Sequence, residues 1–242
     1  MNLIIDVGNT LVKLAVFEQQ IIQYKKVCIK KDFLSVLNEV AELYPDITNT
    51  MLAMVGTLTE HQLAQVEKLY TVSVLSNETK VPFQNKYTTP KTLGVDRIAL
   101  VSAAAAKYPN KDVLIIDSGS CITYDFINSE NEYFGGAISP GLSMRYSSLN
   151  TFTDKLPMLD VSLPKKLIGD TTAASIHSGV VNGVLYEIDG FISSYKANYS
   201  DLTIILTGGD AHFLRDRLKN DIFANSNFLL EGLNYILELI KD

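Results

Sequence analysis

The chain has 242 residues, 47% of them hydrophobic, a net charge of −6 and a pI near 5.1. That is enough apolar material for one large domain or two small ones, and with no Lys/Arg run longer than a pair the acidic balance excludes a nucleic-acid or anionic-membrane footprint. No stretch approaches the roughly 18 apolar residues of a membrane span and the first residues lack a signal peptide's basic and apolar regions, so a cytoplasmic small-molecule protein is expected.

The opening run Leu3-Ile4-Ile5 predicts a buried strand, broken at Asp6-Val7-Gly8-Asn9-Thr10 and resumed from Leu11 to Phe17. In that turn Gly8 lets backbone amides approach a ligand without a Cβ in the way, Asn9 tolerates the same geometry, and Thr10 and Lys13 add a hydroxyl and a cation. Bare amides, a hydroxyl and an ammonium suit a polyphosphate, and Asp6 at the strand end is placed to hold hydrated magnesium beside it. An ordinary hairpin turn would carry the same residues. A repeat 111 residues later favours the phosphate reading: Leu114-Ile115-Ile116-Asp117-Ser118-Gly119-Ser120 matches the apolar triplet, the Asp and the Gly.

Asp32 is expected to cap a helix with Phe33, Leu34, Val36, Leu37, Val40 and Ala41 inward, stopped by Pro45. A strand over Met51 to Val55 follows. Thr59 and Gln62 form a capping box for a helix with Leu63, Val66, Leu69 and Tyr70 inward, and Val72 to Leu75 is a further strand. This alternation argues for an α/β layer fold with a largely parallel sheet. Asn77 to Thr92, bounded by Pro82 and Pro90, is expected to be a functional loop carrying Tyr87. It leads to Gly94-Val95-Asp96-Arg97 at the start of an alanine-rich helix. Asp96 there can serve as a cap, whereas Arg97 opposes the helix dipole and is better explained by an anionic partner.

The second half repeats the plan from Val113: strand, acidic hairpin, a strand to Asn128, and a third around Tyr133 to Ser139, punctuated by Gly135-Gly136 and Pro140-Gly141. Thr151 to Lys166 reads as a loop or lid. A long helix is expected from Asp170, its cap, to Tyr195, with Thr172 in the first turn and Gly179 and Gly183 spaced for a close packing or subunit contact. Leu202 to Leu206 is a strand ending in Thr207-Gly208-Gly209-Asp210, a glycine turn suited to a nucleotide's sugar or phosphates. The repeat divides the chain into residues 1–111 and 112–242. Cys28, Cys121 and three histidines without ligand spacing offer no disulfide framework, zinc site or hydrolase triad.

With Asp6-x-Gly8-Asn9-Thr10-x-x-Lys13, Gly94-Val95-Asp96-Arg97 after Tyr87, Asp117-x-Gly119-Ser120, Gly135-Gly136 before Pro140-Gly141, and Thr207-Gly208-Gly209 in this order, the whole chain closely resembles the type III pantothenate kinases. These belong to the acetate and sugar kinase/Hsp70/actin superfamily. The resemblance implies two duplicated ribonuclease H-like (actin-like ATPase) domains with a nucleotide cleft between them, and ATP-dependent phosphorylation of pantothenate to 4′-phosphopantothenate. It implies ATP contacts at Asp6, Val7, Gly8, Asn9, Thr10, Lys13 and Ser120, and pantothenate contacts at Tyr87, Gly94, Val95, Asp96, Arg97 and Thr172. Asp96 would accept the hydroxyl proton, and Asp117 would hold a monovalent cation, K⁺ or NH₄⁺, beside ATP with Mg²⁺. A homodimer is implied, with Thr172 reaching the partner's site. Ser120 stands where the family usually has threonine, and Cys121 where a smaller residue is usual. Two other readings remain: a superfamily kinase with another small hydroxyl acceptor, and a non-catalytic regulator of the Bvg accessory factor type.

Overall fold

The computed structural model describes residues 1–241, which form two compact units: residues 1–109, 131–133 and 227–241, and residues 110–130 and 134–226. In chain order the elements are β1 (Asn2–Val7), β2 (Leu11–Glu18), β3 (Ile21–Ile29), α1 (Phe33–Leu43), β4 (Asn49–Met54), α2 (Glu60–Leu69), β5 (Thr71–Val74), β6 (Gln84–Asn85), α3 (Val95–Lys107), β7 (Asp112–Ser118), β8 (Cys121–Ile127), β9 (Glu132–Pro140), α4 (Leu142–Thr151), α5 (Thr172–His177), α6 (Gly183–Lys196), β10 (Leu202–Thr207), α7 (Ala211–Leu214), β11 (Phe223–Ala224) and α8 (Phe228–Lys241).

In the first unit the sheet order is β3-β2-β1-β4-β5, antiparallel across β1, β2 and β3 and parallel across β1, β4 and β5. Every residue of β1 is buried, because helices cover both faces and a strand so enclosed must be apolar throughout. Leu3, Ile5 and Val7 pack with Phe33, Val36, Leu37 and Val40 of α1, while α8 lies against β1 and β4 and α3 against β4. A Cβ on Gly232 would sit 2.0 Å from the Ala99 carbonyl oxygen, so a bare α carbon is what lets α8 lie on α3. Buried Asn2 and Asn234 tie α8 to the sheet: Asn2 donates to Asn234 Oδ1 (2.8 Å), and Asn234 donates to the Gln19 carbonyl (2.8 Å).

The second unit repeats this hairpin beside parallel strands, in the order β11-β10-β7-β8-β9. Leu114, Ile116, Ile122 and Tyr124 pack with Val181, Val184 and Ile188 on one core. β9 begins in the first unit, where Glu132 and Tyr133 pair with β6.

Several expectations need correction. β3 went unforeseen because it is an edge strand with alternating exposure and lysines at 25 and 26. α4 is serine-rich, with only Leu142 and Tyr146 buried, so it carries little helical periodicity. The capping box at Thr59 and Gln62 is present, but Asp32 makes no capping bond because a 3₁₀ turn, Lys30–Asp32, precedes α1. Leu69, expected inward, is exposed. The helix expected over 170–195 is interrupted by a π turn, Ser178–Asn182. Its cap is Thr171, whose hydroxyl accepts from the Ala174 amide (3.1 Å), while Asp170 pairs with Lys166 (3.2 Å). Residues 227–241, expected with the second half, pack in the first unit.

Candidate functional site

The β1–β2 register sets Asp6 opposite Lys13, and Lys13 Nζ donates to Asp6 Oδ2 at 3.0 Å. Asp6 is buried at the strand end while Lys13 is about a third exposed, so a cation and an anion are held at the lip of an exposed turn, Asn9 and Thr10. The turn closes with the Gly8 amide on the Leu11 carbonyl (3.0 Å). Behind it, the amides of Val55 and Gly56 both donate to the Val7 carbonyl (3.0 and 2.8 Å). A Cβ on Gly56 would fall 2.1 Å from the Gly8 carbonyl oxygen and 2.9 Å from Lys30 Nζ. Gly56 therefore backs the hairpin, a role the sequence reading missed.

Gly94 precedes α3, and Asp96 Oδ1 accepts the Arg97 amide at 2.8 Å. A side chain at Gly94 would put its Cβ 2.4 Å from Asp96 Oδ1, so the glycine makes room for that carboxylate. Asp96 lies inside the helix and Gly94 occupies the cap position, so the capping reading of Asp96 does not hold. Burial pushes the Asp96 carboxyl above its ordinary value; the Arg97 amide and guanidinium pull it down, and the Asp6 charge adds to the rise. Arg97 is buried, its guanidinium carbon 5.6 Å from the Tyr87 ring centre. Tyr87 stacks on buried Tyr133 (6.2 Å), which meets Phe83 edge-on (5.7 Å). Asn77 donates to the carbonyls of Pro90 (2.7 Å) and Leu93 (2.8 Å), so aromatic stacking and backbone pinning together order the loop that presents Tyr87.

Asp117, Ser120 and Thr172 lie in the second unit. Asp117 pairs across the sheet with Thr123 and Thr207, and the turn closes with the Gly119 amide on the Cys121 carbonyl (2.9 Å). Gly208 has φ +95°, and a Cβ there would lie 2.2 Å from the Ser118 carbonyl oxygen and 2.4 Å from Asp117 Oδ1. The Asp210 amide donates to the Ser118 carbonyl (3.0 Å), as those of Val55 and Gly56 do to Val7. The third glycine turn thus backs the second hairpin as Gly56 backs the first. Thr172 begins α5 on the wall of a cavity of about 990 Å³ shared with Arg145, Ser148, Leu149 and Ser175.

Among the described residues no group of three or more His, Cys, Asp or Glu could hold a metal ion, so a divalent ion at Asp6 would complete its shell from bound phosphate and water. No helix of the described residues is long and apolar enough to cross a membrane.

A family model described as type III pantothenate kinase matches residues 2–194. The type III pantothenate kinase of Christiangramia forsetii is 50% identical over 241 residues, covering 100% of this chain and 99% of that protein. That of Flavobacterium johnsoniae is 49% identical over 234 residues, covering 97% and 96%. Among solved structures, a Campylobacter jejuni protein assigned to the Baf family of transcriptional activators superposes with TM-score 0.66 at 20% identity, covering 99% of this chain and 98% of that one. A ROK family glucokinase from Streptomyces griseus, in complex with glucose and AMPPNP, superposes with TM-score 0.53 at 11% identity, covering 98% of both. These likenesses establish the ribonuclease H-like, actin-like ATPase fold.

Because the folded-state pKa of Asp96 is raised, the unfolded chain releases that proton first as pH rises, and stability falls from the ordinary carboxylate range up to the folded pKa. Asp96→Asn should therefore be more stable than the parent at pH 7, with the gap closing as pH falls toward about 4. Urea unfolding of the ligand-free proteins across that range checks this, and an Asn variant less stable at pH 7 contradicts it.

Proposed function

The chain belongs to the type III pantothenate kinase family, and from that premise we propose that its first hairpin and the start of α3 carry out ATP-dependent phosphorylation of pantothenate to 4′-phosphopantothenate, the first step of coenzyme A synthesis. The observation that supports this use of the geometry is the Asp96 carboxyl, raised by burial and coupled to the charge of Asp6 in the phosphate hairpin. A carboxylate so tuned is a better proton acceptor. Asp96 takes the proton of the primary hydroxyl as its oxygen bonds to the γ-phosphorus and the bond to the bridging oxygen of ADP breaks. Lys13, the Thr10 hydroxyl and the turn from Val7 to Asn9, where Gly8 leaves room for close approach, hold the phosphates, and Ser120 is a further ATP contact through its hydroxyl. Asp6 would hold a magnesium ion with phosphate oxygens, and that ion supplies charge neutralisation. Arg97, packed over the Tyr87 ring, takes the substrate carboxylate beside the backbone of Gly94 and Val95.

Mass spectrometry of the product formed from ATP, magnesium and pantothenate should show one added phosphate, and Asp96→Asn should lose two to four orders of magnitude in kcat, on the order expected for a lost proton acceptor. No product would favour the regulatory reading. A loss under tenfold would remove Asp96 as base.

Asp117 is the proposed seat of a monovalent cation, since a large, weakly hydrated ion tolerates one carboxylate with carbonyls and phosphate oxygens around it. The close approach of Asp117 Oδ1 to Gly208 supports a carboxylate turned toward backbone of the glycine turn. Activity should be low in sodium or Tris, rise with potassium or ammonium, and lose that response in Asp117→Asn. Full activity in sodium alone, with the substitution harmless, sinks the assignment.

The homodimer rests on the helical segment from Thr172, where Gly179 and Gly183 have open space at the Cβ position and Leu167 and Ile168 just before it are exposed. Sedimentation at assay concentration should give a dimer; a fully active monomer refutes it.

A further inference from the structure

We propose that Arg145 and Glu187 form a positioning clamp that holds the Pro140–Gly141 backbone against the turn of the second hairpin; its effect on catalysis rests on the reading that Ser120 contacts ATP. Glu187, on α6, accepts from three elements: Tyr124 Oη of β8 (3.0 Å) and Ser139 Oγ of β9 (2.5 Å) on Oε1, and Arg145 Nη2 of α4 (2.5 Å) on Oε2. Burial alone would raise this carboxyl, and the three donors outweigh it and hold it below its ordinary value. Arg145 spends its Nε on the Pro140 carbonyl (2.8 Å), so one planar group is fixed between the carboxylate and the end of β9. The next residue, Gly141, donates its amide to the Ser120 carbonyl (3.1 Å), and a Cβ there would fall 2.1 Å from the Gly119 carbonyl oxygen. From Arg145 the contacts run through the Pro140 carbonyl and the Gly141 amide to the Ser120 carbonyl, a path along which a shift of the Pro140 carbonyl is passed toward Ser120. Lysine at 145 could keep the carboxylate or the carbonyl, but not both in the angle a guanidinium fixes.

Arg145→Lys and Glu187→Gln are compared with Ser120→Ala in the full-length protein. Both clamp variants should raise the KM for ATP about tenfold, leave the KM for pantothenate within about twofold, and unfold near the parent temperature. Amide hydrogen exchange without nucleotide should be faster at Gly141 and across residues 117–123, while β10 is unchanged. Unchanged exchange overturns the clamp, as does an exchange increase spread evenly over the unit with a fallen unfolding temperature. If Ser120→Ala raises the KM for ATP and the clamp variants do not, the catalytic half is overturned. If Ser120→Ala has no effect, the ATP reading of Ser120 fails, and local exchange still decides the clamp.

Discussion

Two backbone carbonyls carry the architecture. Val7 and Ser118 each end the first strand of an acidic hairpin, and each accepts an amide from the chain leaving the neighbouring parallel strand. Those bonds bring Gly56 and Gly208 so close that a Cβ would overlap the hairpin backbone. Each turn closes on itself through one glycine amide, Gly8 on Leu11 and Gly119 on Cys121, and is held from behind by these further bonds. The duplication is thus of a supported turn as well as of a sequence motif.

The hairpins were legible because their strands are enclosed on both faces: Leu3-Ile4-Ile5 and Leu114-Ile115-Ile116 are fully buried, and enclosure demands an unbroken apolar run. What supports them was not. Gly56 stands alone where its counterpart sits in the conspicuous Thr207-Gly208-Gly209, and nothing local marks a glycine whose role is set by a strand fifty residues away. Tyr133 likewise reads as a strand residue, yet it carries the stack that steadies Tyr87 and, through it, Arg97. Three aspartate caps did not form although the Thr59 box did: Gly94 and Thr171 take the cap positions beside Asp96 and Asp170, while Asp32 holds the cap position in a helical conformation that makes no capping bond.

Charge placement separates Glu187 from Asp96. Glu187 is satisfied by three donors and held below its ordinary value, as befits a joint between strands and helices. Asp96 has one amide and its own helix start, and burial leaves it raised. The first is stable because its charge is neutralised by the fold; the second carries a burial cost that protonation removes, as the proposed role of Asp96 as proton acceptor would require.

The return of α8 to the first unit has a temporal consequence. Leu229, Leu230, Leu233, Ile236 and Leu237 are buried in a helix lying on α3 and on β1 and β4. They leave the ribosome after the whole second unit has been made. During translation the face of α3 around Ala99 and Ala103, with the sheet beneath it, therefore has no cover while the second unit already has every strand it needs. The half that begins first is completed last, and a nascent chain stopped before residue 228 would leave the apolar seam between α8, α3 and the first sheet open to whatever is nearby.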